Sequence, residues 1–139
     1  MEELVIDASA LVDALTGNSE SALQLAERIS DANLHAPDHL FVESAHAIKN
    51  LSARLPAEST QQAFDQLREI EVDTLPFTAF AELAWRHRHN LALYDAGYLA
   101  VAMMTGFPLV TSDRRLASVA KNYVDVIAPP DSIRDAEGR

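Results

Sequence analysis

The chain has no cysteine. That excludes a disulfide framework, thiolate catalysis and a thiolate-bound metal. It has four glycines in 139 residues and they do not cluster, so the glycine-rich loop of phosphate-binding folds is absent. Neither a G-x-S-x-G elbow nor an H-E-x-x-H pair occurs, which removes serine-type hydrolysis and the common zinc-hydrolase pattern. No apolar run approaches the ~20 residues of a membrane helix, so no membrane association is expected. The opening Met1-Glu2-Glu3 is acidic and no signal-peptide pattern follows it, so the expected location is cytoplasmic. Basic residues are scarce: 11 Lys and Arg stand against 21 Asp and Glu, a net charge of −10. This argues against a broad basic face that grips nucleic acid. It leaves room for a small local contact, for a basic partner, and for cations held by clustered carboxylates.

What is present is an ordinary globular composition, 48% hydrophobic and 23% charged, in a length that fits one domain with a real core. The domain is expected over residues 1–130. Pro129-Pro130 should end it, leaving 131–139 as a polar tail.

The stretch Leu4-Val5-Ile6-Asp7-Ala8-Ser9 organises the rest. Three apolar residues, two of them β-branched, read as a short buried strand that ends on a carboxylate. A helix should follow over 9–15, with Ser9 as its cap. Helical spacing recurs over 19–29, and 33–36 reads as a weak second strand closed by Pro37. Asp38 is a good cap for a third helix running to about residue 52. Pro56 opens a fourth helix with Ala63, Phe64, Leu67 and Ile70 inward. A third strand over 72–75 and a fifth helix from Pro76 to about residue 87 come next. Residues 94–105 are the most apolar segment and should be a buried helix, stopped by Gly106 and Pro108. A fourth strand over 109–113 again ends on a carboxylate. A short helix over 114–120 and a fifth strand over 124–127 complete the alternation. Strands alternating with helices predict an α/β domain, a parallel sheet of about four or five strands flanked by helices.

Four acids stand out by context. Asp7 and Asp113 each end an apolar strand, Glu43 lies one turn into a helix, and Asp95 lies in the first turn of the most buried helix. Each has an ordinary role open to it: Asp7 and Asp95 as helix caps, Glu43 on a solvated face. If all four meet at the carboxyl edge of a parallel sheet, where ligands of such folds bind, their repulsion requires a cation. Oxygen-only ligands favour Mg²⁺ or Mn²⁺.

These residues resemble a known family. Leu4-Val5-Ile6-Asp7-Ala8-Ser9, Val42-Glu43-Ser44-Ala45, Tyr94-Asp95-Ala96-Gly97-Tyr98-Leu99-Ala100-Val101-Ala102 and Val110-Thr111-Ser112-Asp113, in this order, are similar to the PIN-domain pattern. The Tyr94 to Ala102 segment resembles VapC-type toxins of toxin–antitoxin pairs. The resemblance implies a Mg²⁺- or Mn²⁺-dependent endoribonuclease in which Asp7, Glu43, Asp95 and Asp113 are the catalytic, metal-binding acids and activated water attacks an RNA phosphodiester. It places Ser9 and Thr111 beside the acids or the substrate phosphate. It also implies a homodimer and a small cognate antitoxin protein as partner. His46 departs from the pattern, which often has Asn there; it is taken as a polar neighbour of the site.

Two other readings compete: an acidic receiver-like signalling module that uses Asp and Mg²⁺, and a catalytically inactive PIN scaffold, which four intact acids disfavour. Arg86 and Arg88, in a run with His87 and His89, read first as a solvated helix end, with RNA contact the minority reading; for Arg114 and Arg115 an RNA-phosphate contact and a plain surface pair weigh equally. Trp85 and the Phe residues sit at helical spacings that suit core or interface packing.

Overall fold

The computed structural model of the chain describes residues 1–129. The expected domain end at 130 and the tail 131–139 lie outside the described residues.

The first apolar stretch forms β1 (Glu2–Ile6), in which Leu4, Val5 and Ile6 are all fully buried. Successive strand side chains point to opposite faces, so burial of three in a row means that both faces are covered. β1 is the central strand of a five-stranded sheet. With β2 (Ala32–Pro37), β3 (Asp73–Leu75), β4 (Leu109–Val110) and β5 (Val126–Ile127), the order is β3-β2-β1-β4-β5, and every neighbouring pair is parallel. In register, Leu4 stands opposite Leu34, and Val5 lies between His35 and Leu109.

Helices cover the sheet. α1 (Ala8–Thr16) packs on α2 (Glu20–Ser30), α3 (Leu40–Leu51) and α4 (Ala57–Glu69). α6 (Leu93–Thr105) lies over β1, β2 and β4 and against α5 (Phe77–Arg86), while α7 (Arg114–Ala120) follows β4. From Ala96 to Ala102, α6 is buried all round, the state its unbroken apolar sequence predicts. It stops at Gly106, whose φ of +76° is left-handed, a conformation in which a side chain would be strained.

The sheet order sets the place of the site. From β1 the chain lays β2 and β3 to one side, then crosses over to lay β4 and β5 on the other. The reversal between β1 and β4 opens a crevice at the carboxyl ends of those two strands. Asp7 leaves β1 there, and Thr111-Ser112-Asp113 leave β4 there. In a receiver-type sheet the first strand sits between the second and third. Here it sits between β2 and β4, which removes the receiver-like alternative.

Several local expectations are corrected. The strand expected over 109–113 ends at Val110. Beyond it, the Ser112 and Asp113 N–H groups donate to the hydroxyls of Ser9 and Thr111 at 3.0 Å each, so side chains take over from the ladder. The first helix is capped by Asp7, not Ser9. Asp38 is not the third helix's cap: its N–H donates to Leu75 O at 2.9 Å and extends the β2–β3 pairing, leaving at the cap position His39, whose side chain makes no capping bond to the helix. Phe64 is exposed rather than inward, and Trp85, expected in the core or at an interface, is exposed and outside the core. The Trp85 ring carries the Arg88 guanidinium, 4.6 Å from its centroid.

Candidate metal and nuclease site

Asp7 is fixed from three directions. Its carboxylate accepts the Ala10 N–H at 2.9 Å, the Ser9 hydroxyl at 2.8 and 2.9 Å from its two oxygens, and the Thr111 hydroxyl at 2.5 Å. Ser9 and Thr111 in turn accept the N–H groups of Ser112 and Asp113. The strand ends of β1 and β4 are therefore stitched together through one acid. Asp7 is 2% exposed, and burial pushes its carboxyl up to about 7, against the pull of Thr111, Ala10 and Ser9 and with the help of the Asp95 charge.

Asp113 caps α7, where one carboxylate oxygen accepts the N–H groups of Arg115 at 2.9 Å and Leu116 at 3.1 Å. Glu43 lies in the first turn of α3, and its Oε1 accepts the Tyr98 hydroxyl at 2.6 Å. Burial and the Glu43 charge hold that phenol far above its usual range, so it stays a donor.

Asp95 is the informative case. As a cap it would bond to the start of α6. The cap position belongs instead to Ala92, without a side-chain bond, and among the described residues no hydrogen bond holds the Asp95 carboxylate. Burial and then the charges of Asp113 and Glu43 push it up to about 6, while Arg115 acts the other way. Asp95 thus feels Asp113 and Glu43, and Asp7 feels Asp95. The four carboxylates form one electrostatic group, held at the N-terminal ends of α1, α3, α6 and α7.

Among the described residues no three acids or histidines stand close enough to form a ready-made metal cage. A half-buried carboxylate without a hydrogen bond, among like charges and beside all-oxygen donors, does fit an open site. There, one or two carboxylates and several waters would hold a hard cation.

The remaining candidates fall at different distances from this group. His46 is exposed on α3 and lines an open cleft of about 440 Å³ with His39, Val42, Glu43 and Tyr94. Arg115 acts on Asp95 and reaches Asn90 O at 3.4 Å, and Arg114 is exposed beside it. Arg86 pairs with Glu82 at 3.0 Å and Arg88 covers Trp85. His87, between Arg86 and Arg88 in sequence, is buried with its ring 4.7 Å from that of Tyr123. Sequence reasoning gave Tyr98 and His39 no role at the site. Their partners lie 55 residues away, and only the Tyr94-Asp95-Ala96-Gly97-Tyr98 spacing hinted at them.

Comparison with known proteins shows the family of the chain. The family described as PIN domain matches residues 4–122. A protein named Ribonuclease VapC1 from Mycobacterium tuberculosis is 37% identical over 121 residues, covering 85% of this chain and 91% of that protein. Ribonuclease VapC3 of the same species is 32% identical over 118 residues, covering 84% and 86%. Among solved structures, PAE2754 from Pyrobaculum aerophilum has the same fold, with a TM-score of 0.60, 24% identity and coverage of 89% of this chain and 90% of that one. VapBC-5 from Mycobacterium tuberculosis, described as a member of the VapBC family of toxin–antitoxin systems, gives a TM-score of 0.54 at 16% identity, covering 92% and 99%.

Proposed function

The chain belongs to the PIN domain family, and from that membership we propose that it is a VapC-type endoribonuclease, the toxin of a toxin–antitoxin pair. The observation that carries the reading is the electrostatic group of Asp7, Glu43, Asp95 and Asp113 at the sheet's switch point, on a chain 37% identical to a protein named a ribonuclease. Those four acids would hold Mg²⁺ or Mn²⁺. When bound, the cation supplies charge stabilisation and an activated water for phosphodiester hydrolysis. The chain's own residues do the rest. Ser9 and Thr111 keep Asp7 aimed, and Asp113 anchors α7 at the crevice. Asp95, whose carboxylate accepts no hydrogen bond among the described residues, would double as the base that accepts a proton from the attacking water. RNA enters along the rim where Arg114 and Arg115 follow Asp113. A small antitoxin, a homodimeric assembly and a cytoplasmic setting belong to the same proposal.

The test is cleavage of RNA by the purified protein with and without Mg²⁺ or Mn²⁺. Cleavage that needs neither ion contradicts the metal assignment, and no cleavage of any RNA class contradicts the enzyme. With a net charge of −10, RNA affinity should rest on few phosphate contacts and fall only gently with salt. Arg114→Ala should weaken RNA binding a few-fold, flatten the salt slope by about one contact and leave Mn²⁺ binding unchanged. A slope matching six or more contacts contradicts the small footprint.

A further inference from the structure

Glu43 and Asp95 sit on different helices, so their spacing depends on how α3 and α6 are joined. Two bonds join them at this level. The Tyr98 hydroxyl on α6 donates to Glu43 Oε1 at 2.6 Å, and His39 Nε2, at the start of α3, donates to the Tyr94 carbonyl at 3.0 Å. Tyr94 immediately precedes Asp95, and His39 lies one turn before Glu43.

The Tyr98 ring cannot follow a moving carboxylate. It is fully buried, and the His39 ring stands edge-on to it at 5.0 Å, edge-on to Tyr94 at 5.1 Å and to Phe80 at 6.2 Å. Gly97 makes room for this brace. A Cβ there would lie 2.7 Å from His39 Cε1 and 3.1 Å from Phe80 Cε1. With Oε1 committed to a fixed phenol, Glu43 keeps Oε2, which among the described residues carries no hydrogen bond. A flexible Glu on the first turn of a helix thereby becomes a carboxylate of one orientation.

From this geometry we infer that Tyr98, braced by His39 against Gly97, is the positioning residue that aims Glu43 at the cation. The inference rests on the reading of Glu43 as a cation-holding acid. Partners that orient a metal-binding carboxylate typically contribute 10- to 100-fold in affinity.

The test uses the full chain without RNA and reads Mn²⁺ affinity by calorimetric titration, alongside the melting temperature and cleavage. Tyr98→Phe keeps the ring and removes only the hydroxyl. It should weaken Mn²⁺ binding about 10-fold while cleavage largely recovers at saturating Mn²⁺. In a Glu43→Gln background the same substitution should change Mn²⁺ affinity no further. Wild-type Mn²⁺ affinity in Tyr98→Phe overturns the inference, whatever happens to the melting temperature. So does a further loss in the double variant, since Tyr98 would then act by another route. If Glu43→Gln itself binds Mn²⁺ like the wild type, the acid-site reading fails and this inference with it. Should Tyr98→Phe not fold, His39→Leu decides: weaker Mn²⁺ binding in a folded protein supports the brace, and unchanged binding overturns it.

Discussion

The metal-free protein is expected to lose stability as the pH rises from about 4 to about 7.5, and millimolar Mn²⁺ to restore it. Asp7 titrates near 3.8 in an unfolded chain and at about 7 in the fold, and Asp95 at about 6. A carboxyl whose folded pKa is raised is better tolerated protonated. Its penalty is therefore absent below the unfolded value, grows through the window between the two, and is complete above the folded value. For Asp7, which is 2% exposed and little screened, the penalty is about 4 kcal/mol at neutral pH. Asp95 is more open to solvent and adds to it in the same direction. Against a typical total stability of about 5–15 kcal/mol this is a large slope, roughly 15 °C in melting temperature. Glu2 and Glu3, whose carboxyls Arg28, Asn33 and His35 hold below the usual range, act oppositely. Their contribution is lost only as the pH falls below about 4.5, at the acid edge of this window. A cation that binds the folded state alone stabilises it by mass action, so the restoring effect of Mn²⁺ should be greatest at the alkaline end. Melting curves at several pH values, with chelator and with Mn²⁺, check both parts. A flat metal-free profile would contradict the crowding of these acids.

The second large effect is expected for Asp7→Asn. Asn caps helices about as well as Asp, and its carbonyl can keep the Ala10 N–H. The amide carries no charge into a buried site. It handles the Thr111 hydroxyl less well, since that bond now ends on a donor. The net expectation is a metal-free protein stabilised at neutral pH by about 1–2 kcal/mol, or roughly 3–8 °C, with most of the pH slope gone. Cleavage should fall by at least about 100-fold, because a neutral amide replaces the carboxylate most firmly fixed in the site. Paired melting and cleavage assays decide. A variant that is less stable at pH 7.5 yet still cleaves would make Asp7 a structural cap and nothing more.

The alternation of strands and helices was legible because each element carries its own period. Leu4-Val5-Ile6 could only be a buried strand, and the segment ending at Gly106 could only be a buried helix. The four acids were legible for the same reason, as charges set against apolar stretches. What sequence could not show is pairing over distance. Asp7 and Ser9 both make good caps, and the choice fell to Asp7 because its other oxygen receives Thr111, 104 residues away. Val110 ends its strand early because Ser9 draws off the Ser112 N–H. The strand order, which opens the crevice between β1 and β4, is a property of the crossover and of no single segment. The spacing of Trp85 suited core or interface alike, and only the packing of α5 on α6 shows that its side faces outward under Arg88.

The most direct measurement of the central claim, that these carboxylates hold a cation for RNA hydrolysis, is made on Asp95→Asn. In this fold Asp95 caps nothing and accepts no hydrogen bond among the described residues, so the substitution removes one charge and little else. RNA cleavage and the Mn²⁺-induced melting shift are measured side by side for the variant and the wild type. The account predicts a variant that folds, melts no lower than wild type without metal, loses most of the Mn²⁺ shift and no longer cleaves RNA. Cleavage near the wild-type rate, with the Mn²⁺ shift intact, would contradict it.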